Sequence, residues 1–104
     1  MPIMTLDNRQ VSVDPEGFLT EYAEWDEDLA RTLAQQIGIA LTDQHWPVLR
    51  FLRQDFADQG ETATLRRTSL RCGIPIRDLF VLFPGKPAKK MAYIAGLPKP
   101  RGCV

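Results

Sequence analysis

The sequence predicts a mainly α-helical single domain that opens with a small β-hairpin. Its 104 residues leave room for one modest core, and a hydrophobic fraction of 44% with 25% charged residues is typical of a globular protein. Strand-like runs are confined to residues 3–13, and from residue 26 onward apolar side chains recur at helical spacing. The composition excludes a disordered chain, a collagen-like fibre and a disulfide-dense mini-protein.

The first predicted element is the hairpin. Ile3–Leu6 and Gln10–Val13 are short strand-like runs, and the residues between them, 7–9, favour a turn. Asp14–Gly17 predicts a second turn. Because an isolated hairpin is only marginally stable, we expect it to pack on the helices that follow.

Five helices are predicted next, from apolar repeats bounded by capping residues, prolines and glycines. Asp26 is the predicted N-cap of the first helix. Thr42 is that of the second, with Asp43 in its first turn, and Thr62 or Thr64 is that of the third. The predicted bounds are residues 26–38, 42–60, 62 or 64 to 73, 76–83 and 87–96. The fourth helix offers these side chains for burial: Leu79, Phe80, Leu82 and Phe83.

The net charge of zero is the sum of two opposed halves. Residues 1–60 carry four basic and eleven acidic side chains, a balance of −7, whereas residues 61–104 carry nine basic and two acidic ones, a balance of +7. This asymmetry indicates that the C-terminal half meets a nucleic acid, an acidic partner or an anionic intermediate on the protein itself. The alternative, that the two halves neutralise each other in the folded protein, stays open.

The sequence also bears on location. No apolar run approaches the roughly 20 residues of a membrane helix, and residues 1–7 lack the basic start and apolar stretch of a signal peptide. We therefore expect a cytoplasmic protein that makes no contact with a membrane.

The turn Cys72–Pro75 joins the third and fourth helices and suggests a helix-turn-helix regulator that binds nucleic acid. Four arginines around it are candidates for phosphate contacts: Arg66, Arg67, Arg71 and Arg77. The fourth helix, however, has almost no polar side chain that could read a base edge. A core-packing helix is the favoured interpretation, and direct nucleic-acid binding is not expected.

His45 is the single histidine of the chain and stands beside Trp46 in the second predicted helix. With no second histidine and no cysteine pair nearby, the sequence predicts no metal site. We expect a half-exposed histidine near a helix N-terminus, and a catalytic pair with Cys103 stays open.

The last eight residues, Leu97–Val104, contain two prolines and a glycine and carry the penultimate Cys103. We predict a helical domain over residues 1–96 and a mobile arm over 97–104. A cysteine so close to a chain end is seldom part of a core. The extended arm would reach about 25 Å at roughly 3.3 Å per residue. Lys99 and Arg101 favour the thiolate form of Cys103.

These arm residues, above all Ala95–Val104, resemble the C-terminal signature of the DsrC/TusE family of small sulfur-carrier proteins. Further segments along the chain resemble the same family: Asp14–Leu19, Trp25, Leu41–Trp46 and Arg50–Arg53. The resemblance implies an orthogonal bundle with an N-terminal hairpin and a mobile arm. It implies no metal or organic cofactor, since the sulfane sulfur is the cargo, and a carrier rather than a stand-alone enzyme.

A single penultimate cysteine is similar to the TusE branch, because Tyr93 stands where DsrC proteins have a second arm cysteine. The resemblance then implies that Cys103 accepts a persulfide from a complex similar to TusBCD and passes it toward tRNA 2-thiouridine synthesis. A DsrC-related carrier or regulatory paralogue, with dissimilatory sulfite reductase as the acceptor, is the alternative. The side chains expected to bind the anion or a partner are Lys99, Arg101, Arg66 and Arg77.

Cys72 is expected to be structural. Its neighbours Leu65, Leu70 and Ile74 predict a helix packed into the core, where a free cysteine acts as a small hydrophobe with a raised pKa. The segment Cys72–Pro75 is also several residues shorter than the loop that the resemblance implies.

Overall fold

A computed structural model of the chain describes residues 3–6 and 9–100. Strands β1 (Ile3–Leu6) and β2 (Arg9–Ser12) form an antiparallel hairpin in which Ile3 pairs with Ser12 and Leu6 with Arg9. The predicted hairpin is confirmed, but β2 begins at Arg9 and not at Gln10. The Arg9 guanidinium holds the Asp26 carboxylate at 2.9 Å and the Glu24 carbonyl, which ties this end of the strand to the segment before the first helix.

Five α-helices follow the hairpin, so the predicted mainly helical fold is confirmed. Their bounds are α1 Glu27–Gln36, α2 His45–Gln59, α3 Leu65–Cys72, α4 Ile76–Leu82 and α5 Pro87–Ile94. A short 3₁₀ helix at Tyr22–Glu24, which the sequence analysis did not predict, leads into α1. No helix within the described residues is both long enough and apolar enough to cross a membrane.

The predicted helix N-caps have different outcomes. The Asp26 carboxylate accepts a 2.8 Å hydrogen bond from the Leu29 amide, as predicted, and this bond, together with Arg9, lowers the pKa of Asp26. Thr64, one of the two candidates, caps α3 by accepting from the Arg67 amide at 3.1 Å. Local side-chain chemistry therefore sets both helix starts.

The predicted start of α2 is wrong. The helix begins at His45, and Thr42 closes the turn before it by accepting a 3.0 Å hydrogen bond on its carbonyl from the His45 amide. The Thr42 hydroxyl accepts from the Gln44 amide at 3.3 Å, and the His45 ring folds back onto the same threonine. Thr42 thus organises a turn, and Asp43 lies outside the helix.

The core has two parts. The larger lies among α1, α2, α4 and α5 and includes Leu49, Leu79 and Phe83, all fully buried. The smaller joins the hairpin to α1 through Val11 and Leu29, which confirms that the hairpin packs on the helices. The prediction that Phe80 is buried is wrong: the side chain is 46% exposed, because Leu79 in α4 and Phe83 directly after it, four residues apart, pack inward.

Candidate functional site at the arm root

The chain leaves α5 through a Schellman motif, which starts the segment that we call the arm root, residues 95–100. The Leu97 amide donates to the Ala92 carbonyl at 3.0 Å and the Gly96 amide to the Tyr93 carbonyl at 3.2 Å. Gly96 adopts the left-handed conformation at φ 71°, and the Leu97 side chain is 1% exposed within the core. The arm therefore departs from a fixed point.

Gly96 is required for two independent reasons. Its positive φ strains any residue that has a Cβ. In addition, a Cβ at this position would lie 2.5 Å from Cδ1 of Trp25 and 3.0 Å from Cδ2 of Leu19. The end of α5 thus lies in direct contact with the indole ring of Trp25.

Trp25 and Arg53 satisfy the last carbonyls of α5. The Trp25 indole N–H donates to the Ile94 carbonyl at 2.9 Å, and Nη1 of Arg53 donates to the Ala95 carbonyl at 2.8 Å. The guanidinium lies 4.4 Å from the centre of the Trp25 ring, and its Nη2 donates to the Tyr22 carbonyl at 2.8 Å. A cation at a helix C-terminus is stabilised by the helix dipole. Arg53 therefore holds the arm root by its charge as well as by its hydrogen bonds, and Trp25 holds it by a hydrogen bond.

Arg53 is a partly buried cation beside the arm root. Partial burial lowers the pKa of Arg53 below its ordinary value, yet a guanidinium keeps its charge at neutral pH. Its hydrogen-bond acceptors within the described part of the chain are backbone carbonyls, and no carboxylate there pairs with it. The partly buried positive charge of Arg53 therefore lies directly beside the arm root.

The first arm residues are held against the body. The buried Thr62 hydroxyl donates a 2.7 Å hydrogen bond to the Pro98 carbonyl, and Pro100 is buried. Lys99 is exposed, and its ammonium lies 3.5 Å from Oε2 of Glu16 on the turn after the hairpin. This candidate anion-binding lysine therefore has a weak, solvent-screened partner.

Of the other predicted site residues, Arg66 and Arg77 lie on α3 and α4. Cys103 and Arg101 are outside the described residues. Arg66 is exposed in the first turn of α3, four residues after Thr62, whereas Arg77 is exposed in the first turn of α4, beyond the other end of α3. The structure therefore places Arg66 and Arg77 near opposite ends of α3, a helix about 12 Å long at 1.5 Å per residue.

Arg67, a candidate for phosphate contact, is paired within the protein. Its Nη2 lies 2.7 Å from Oδ1 of Asp55 and its Nε 3.0 Å from Oδ2, and Asp55 is only 6% exposed. The hydrogen bonds to this carboxylate raise the pKa of Arg67. This ion pair joins α2 to α3. Of the four arginines that the helix-turn-helix interpretation assigned to phosphate contacts, Arg66, Arg71 and Arg77 are left.

The prediction that His45 is half-exposed is wrong. The side chain is 4% exposed and packs edge-on against Phe83, with ring centres 5.1 Å apart. Nδ1 accepts from the Thr42 amide at 3.0 Å and Nε2 lies 2.8 Å from the Leu82 carbonyl, so the ring carries its hydrogen on Nε2. Both nitrogens have structural partners.

Residues 3–6 and 9–100 contain no group of three or more His, Cys, Asp or Glu side chains that could hold a metal ion.

Cys72 is half-buried against the core, and burial raises the pKa of its thiol. The prediction that its neighbour Leu70 packs inward is wrong, because this side chain is 73% exposed. Thr68 takes the inward position on α3 and is fully buried. Two residues along a helix are about 200° apart, so Leu70 faces away from the core.

Sequence reasoning missed the side chains that hold the arm root: Trp25, Arg53 and Thr62. Trp25 and Arg53 do lie in segments that resemble the DsrC/TusE family, which was the one available signal. Their partners are backbone carbonyls 31 to 69 residues away, which no local pattern reveals.

Comparison with known proteins shows the family of the chain. The family described as DsrC like protein matches residues 5–104. The chain belongs to the DsrC-like family. Among DsrC-like relatives, the sulfurtransferase TusE of Pectobacterium atrosepticum is 36% identical, and the match covers 98% of this chain and all of the relative.

Two solved DsrC structures have the same fold. The oxidized gamma-subunit of the dissimilatory sulfite reductase (DsrC) from Archaeoglobus fulgidus is 35% identical with a TM-score of 0.83, covering 99% of this chain and 100% of that one. DsrC of Allochromatium vinosum is 33% identical with a TM-score of 0.85, covering 98% and 97%. The family resemblance and the helical DsrC-like fold predicted from the sequence are both confirmed.

Proposed function

We propose that this chain is a cytoplasmic sulfur carrier in which Cys103 holds a persulfide. Whole-length similarity to a sulfurtransferase TusE and to DsrC proteins supports a carrier role. The observation that carries the proposal is the arm root, where Trp25, Arg53 and Thr62 hold backbone carbonyls five to nine residues before Cys103. An anchored root and a short arm suit delivery of a thiol into a partner's site.

The proposed transfer step is a thiol–persulfide exchange. The Cys103 thiolate attacks the terminal sulfur of a persulfide on the donor's cysteine, a new S–S bond forms, and the donor's S–S bond breaks. The donor leaves as a thiolate, so sulfur moves without an external oxidant or reductant. The acceptor then attacks the terminal sulfur on Cys103 in the same way.

Basic side chains have a supporting role in this proposal. Lys99 and Arg101 lie four and two residues before Cys103 and favour its thiolate and persulfide anions. Arg66 and Arg77 are exposed and guide docking of a partner. Because exposed charges are screened by water and salt, each is expected to change rates modestly.

We propose a donor complex similar to TusBCD and an acceptor that synthesises 2-thiouridine in tRNA. Tyr93 favours this TusE-like role over that of a DsrC carrier, whose second arm cysteine would stand at its position. The phenol packs edge-on against Phe18, with ring centres 5.8 Å apart, and cannot form a disulfide. A DsrC-related carrier with dissimilatory sulfite reductase as acceptor stays the second candidate, supported by the similarity to DsrC proteins.

The test is persulfide loading measured by intact-protein mass spectrometry. Incubation with a small-molecule persulfide donor should add the mass of one sulfur atom to the wild type and to Cys72→Ala, and none to Cys103→Ser. Loading of Cys72 in place of Cys103 would contradict the proposal. In the source organism, removal of the gene should abolish tRNA 2-thiouridine; unchanged 2-thiouridine with impaired sulfite reductase activity would favour the second candidate.

A further inference from the structure

Large apolar side chains are exposed on two consecutive helices. Five are exposed among the described residues, and four of them lie between residues 70 and 81. We call these four the α3–α4 surface: Leu70 at 73% exposure, Ile76 at 41%, Phe80 at 46% and Val81 at 75%. Single exposed apolar residues are ordinary, but this concentration in twelve residues is typical of an interaction site.

The outer face of α4 takes no part in the core that residues 3–6 and 9–100 form. Leu79 and Phe83 already pack inward, whereas Ile76 and Phe80, also four residues apart, share the outward side. A surface helix normally presents polar residues on the side away from the core, whereas α4 exposes Ile76, Phe80 and Val81 beside Arg77 and Asp78. The composition of α4 therefore indicates a partner.

The surface is also shaped to receive a partner. Beside Val81 lies a groove of about 620 Å³ with Pro47, Ile74 and Leu82 among its lining residues. Leu70 lines a shallower groove of about 230 Å³ with Arg66 and Arg71. Exposed apolar side chains can insert into a partner's pockets, and the grooves beside them can accept the partner's side chains.

The charges around this surface define the partner's chemistry. The exposed carboxylates of Asp43 and Asp78 line the groove beside Val81. The exposed Arg66, Arg71 and Arg77 outnumber them, and none of these arginines forms an ion pair within residues 3–6 and 9–100. They favour a protein whose own apolar patch is bordered by carboxylates. A two-fold contact with a second copy would bring together two surfaces in which arginines outnumber carboxylates, which the charges disfavour. Nucleic acid is disfavoured because the exposed residues of α4 are mainly apolar.

We propose that the α3–α4 surface docks the protein that exchanges sulfur with Cys103, an inference that rests on the proposed function. Thr62, which holds Pro98, lies eight residues before Leu70, the first residue of the surface. Leu65 to Leu70 span about 8 Å of α3 at 1.5 Å per residue, and the three residues before α3 add at most about 10 Å. Because Pro100 is buried, the chain from there to the thiol is the three residues from Arg101 to Cys103, which span at most about 11 Å at 3.3–3.6 Å per residue. A 100-residue domain has a radius of gyration of about 13 Å, so a partner of that size seated on the surface also extends to the thiol.

The experiment compares two independent captures in cells of the source organism. The first traps a protein through a disulfide to Cys103 in a Cys72→Ala chain. The second replaces Phe80 with the photo-crosslinker p-benzoylphenylalanine, and both adducts are identified by mass spectrometry. We expect the same protein in both, and we expect a control crosslinker at Ile3, the exposed apolar residue of the hairpin, not to capture it.

Substitutions on the surface complete the test. Val81→Glu in the chain that carries the crosslinker should lower the adduct yield about tenfold, a typical loss for a central interface residue. Ile3→Glu is the matched control and should not. Neither change should affect loading of Cys103 by the small-molecule donor.

The outcomes separate this inference from the proposed function. A chain whose Cys103 accepts no sulfur overturns the proposed function and the inference with it. If Cys103 accepts sulfur normally but the crosslinker at position 80 captures no more protein than the one at position 3, only the docking-surface proposal is overturned. The same conclusion follows if position 80 captures nucleic acid, a second copy of this chain, or a protein other than the one trapped by Cys103.

Discussion

Thr62 donates a 2.7 Å hydrogen bond from its hydroxyl to the carbonyl oxygen of Pro98, 36 residues later in the chain. The threonine is only 7% exposed, so the bond is shielded from water. It joins the segment before α3 to the arm root. The direction in which the arm leaves the body is thereby coupled to the position of α3.

Replacing Thr62 with valine should expose this coupling. The change keeps the size of the side chain but leaves the Pro98 carbonyl without its donor, which should lower the free energy of unfolding by about 1–3 kcal/mol. Hydrogen exchange of the Leu97 amide should also become faster, because the arm root loosens. Thr62→Ser keeps the hydroxyl, and equal effects of valine and serine would contradict the role of the hydrogen bond.

Gly96→Ala should be much more destabilising than Gly60→Ala. Both glycines have a positive φ, 71° and 76°, so each alanine carries a backbone strain of about 1–2 kcal/mol. Only at Gly96 does the added Cβ also meet Trp25, at 2.5 Å; nothing lies within 4 Å of a Cβ at Gly60. Overpacking should add about 1–3 kcal/mol at Gly96. Urea unfolding of the two variants measures the difference, and equal losses would refute the clash.

Asp26→Ala should remove a stabilising interaction that depends on pH. Because the folded-state pKa of Asp26 lies below its ordinary 3.8, its contribution is present at neutral pH and is lost as the pH falls through the folded-state value. We expect a loss of about 1 kcal/mol at pH 7 that shrinks below pH 3.8. Asp28→Ala, also in the first turn of α1 but outside the cap, is the control. A loss that is constant with pH would argue against the charge of Asp26.

Cys72→Ala should cost about 1 kcal/mol at neutral pH through lost packing, and sulfur transfer should be intact. Burial holds the thiol pKa above its ordinary 9.0, so the folded protein binds a proton that the unfolded chain releases. The wild type should therefore lose stability relative to Cys72→Ala as the pH rises above 9.0. Chemical unfolding at several pH values measures this difference. Parallel pH profiles would show that the thiol is not desolvated.

Helix ends were predictable where one side chain or one backbone conformation decides them. Asp26 caps α1, Gly60 and Gly73 end α2 and α3 in the left-handed conformation, and Pro87 occupies the first position of α5. These outcomes depend on residues within one turn of each other, which a sequence displays directly. The start of α2 was not predictable in this way, because Thr42 has two possible roles and the packing of His45 decides between them.

The family, the order of the hairpin and helices, and the glycine turn at the start of the arm were all predictable before the fold was known. They were predictable because caps, turns and apolar periodicity are local, and because a ten-residue terminal motif is specific. Three features are visible only in the folded protein: Arg53 and Trp25 hold the end of α5, Arg67 is paired with Asp55, and α4 leaves an apolar face exposed. The two sets of polar contacts join residues far apart in the chain. Which side of an apolar helix is covered depends on where the neighbouring helices lie, and the sequence of that helix alone does not encode their positions.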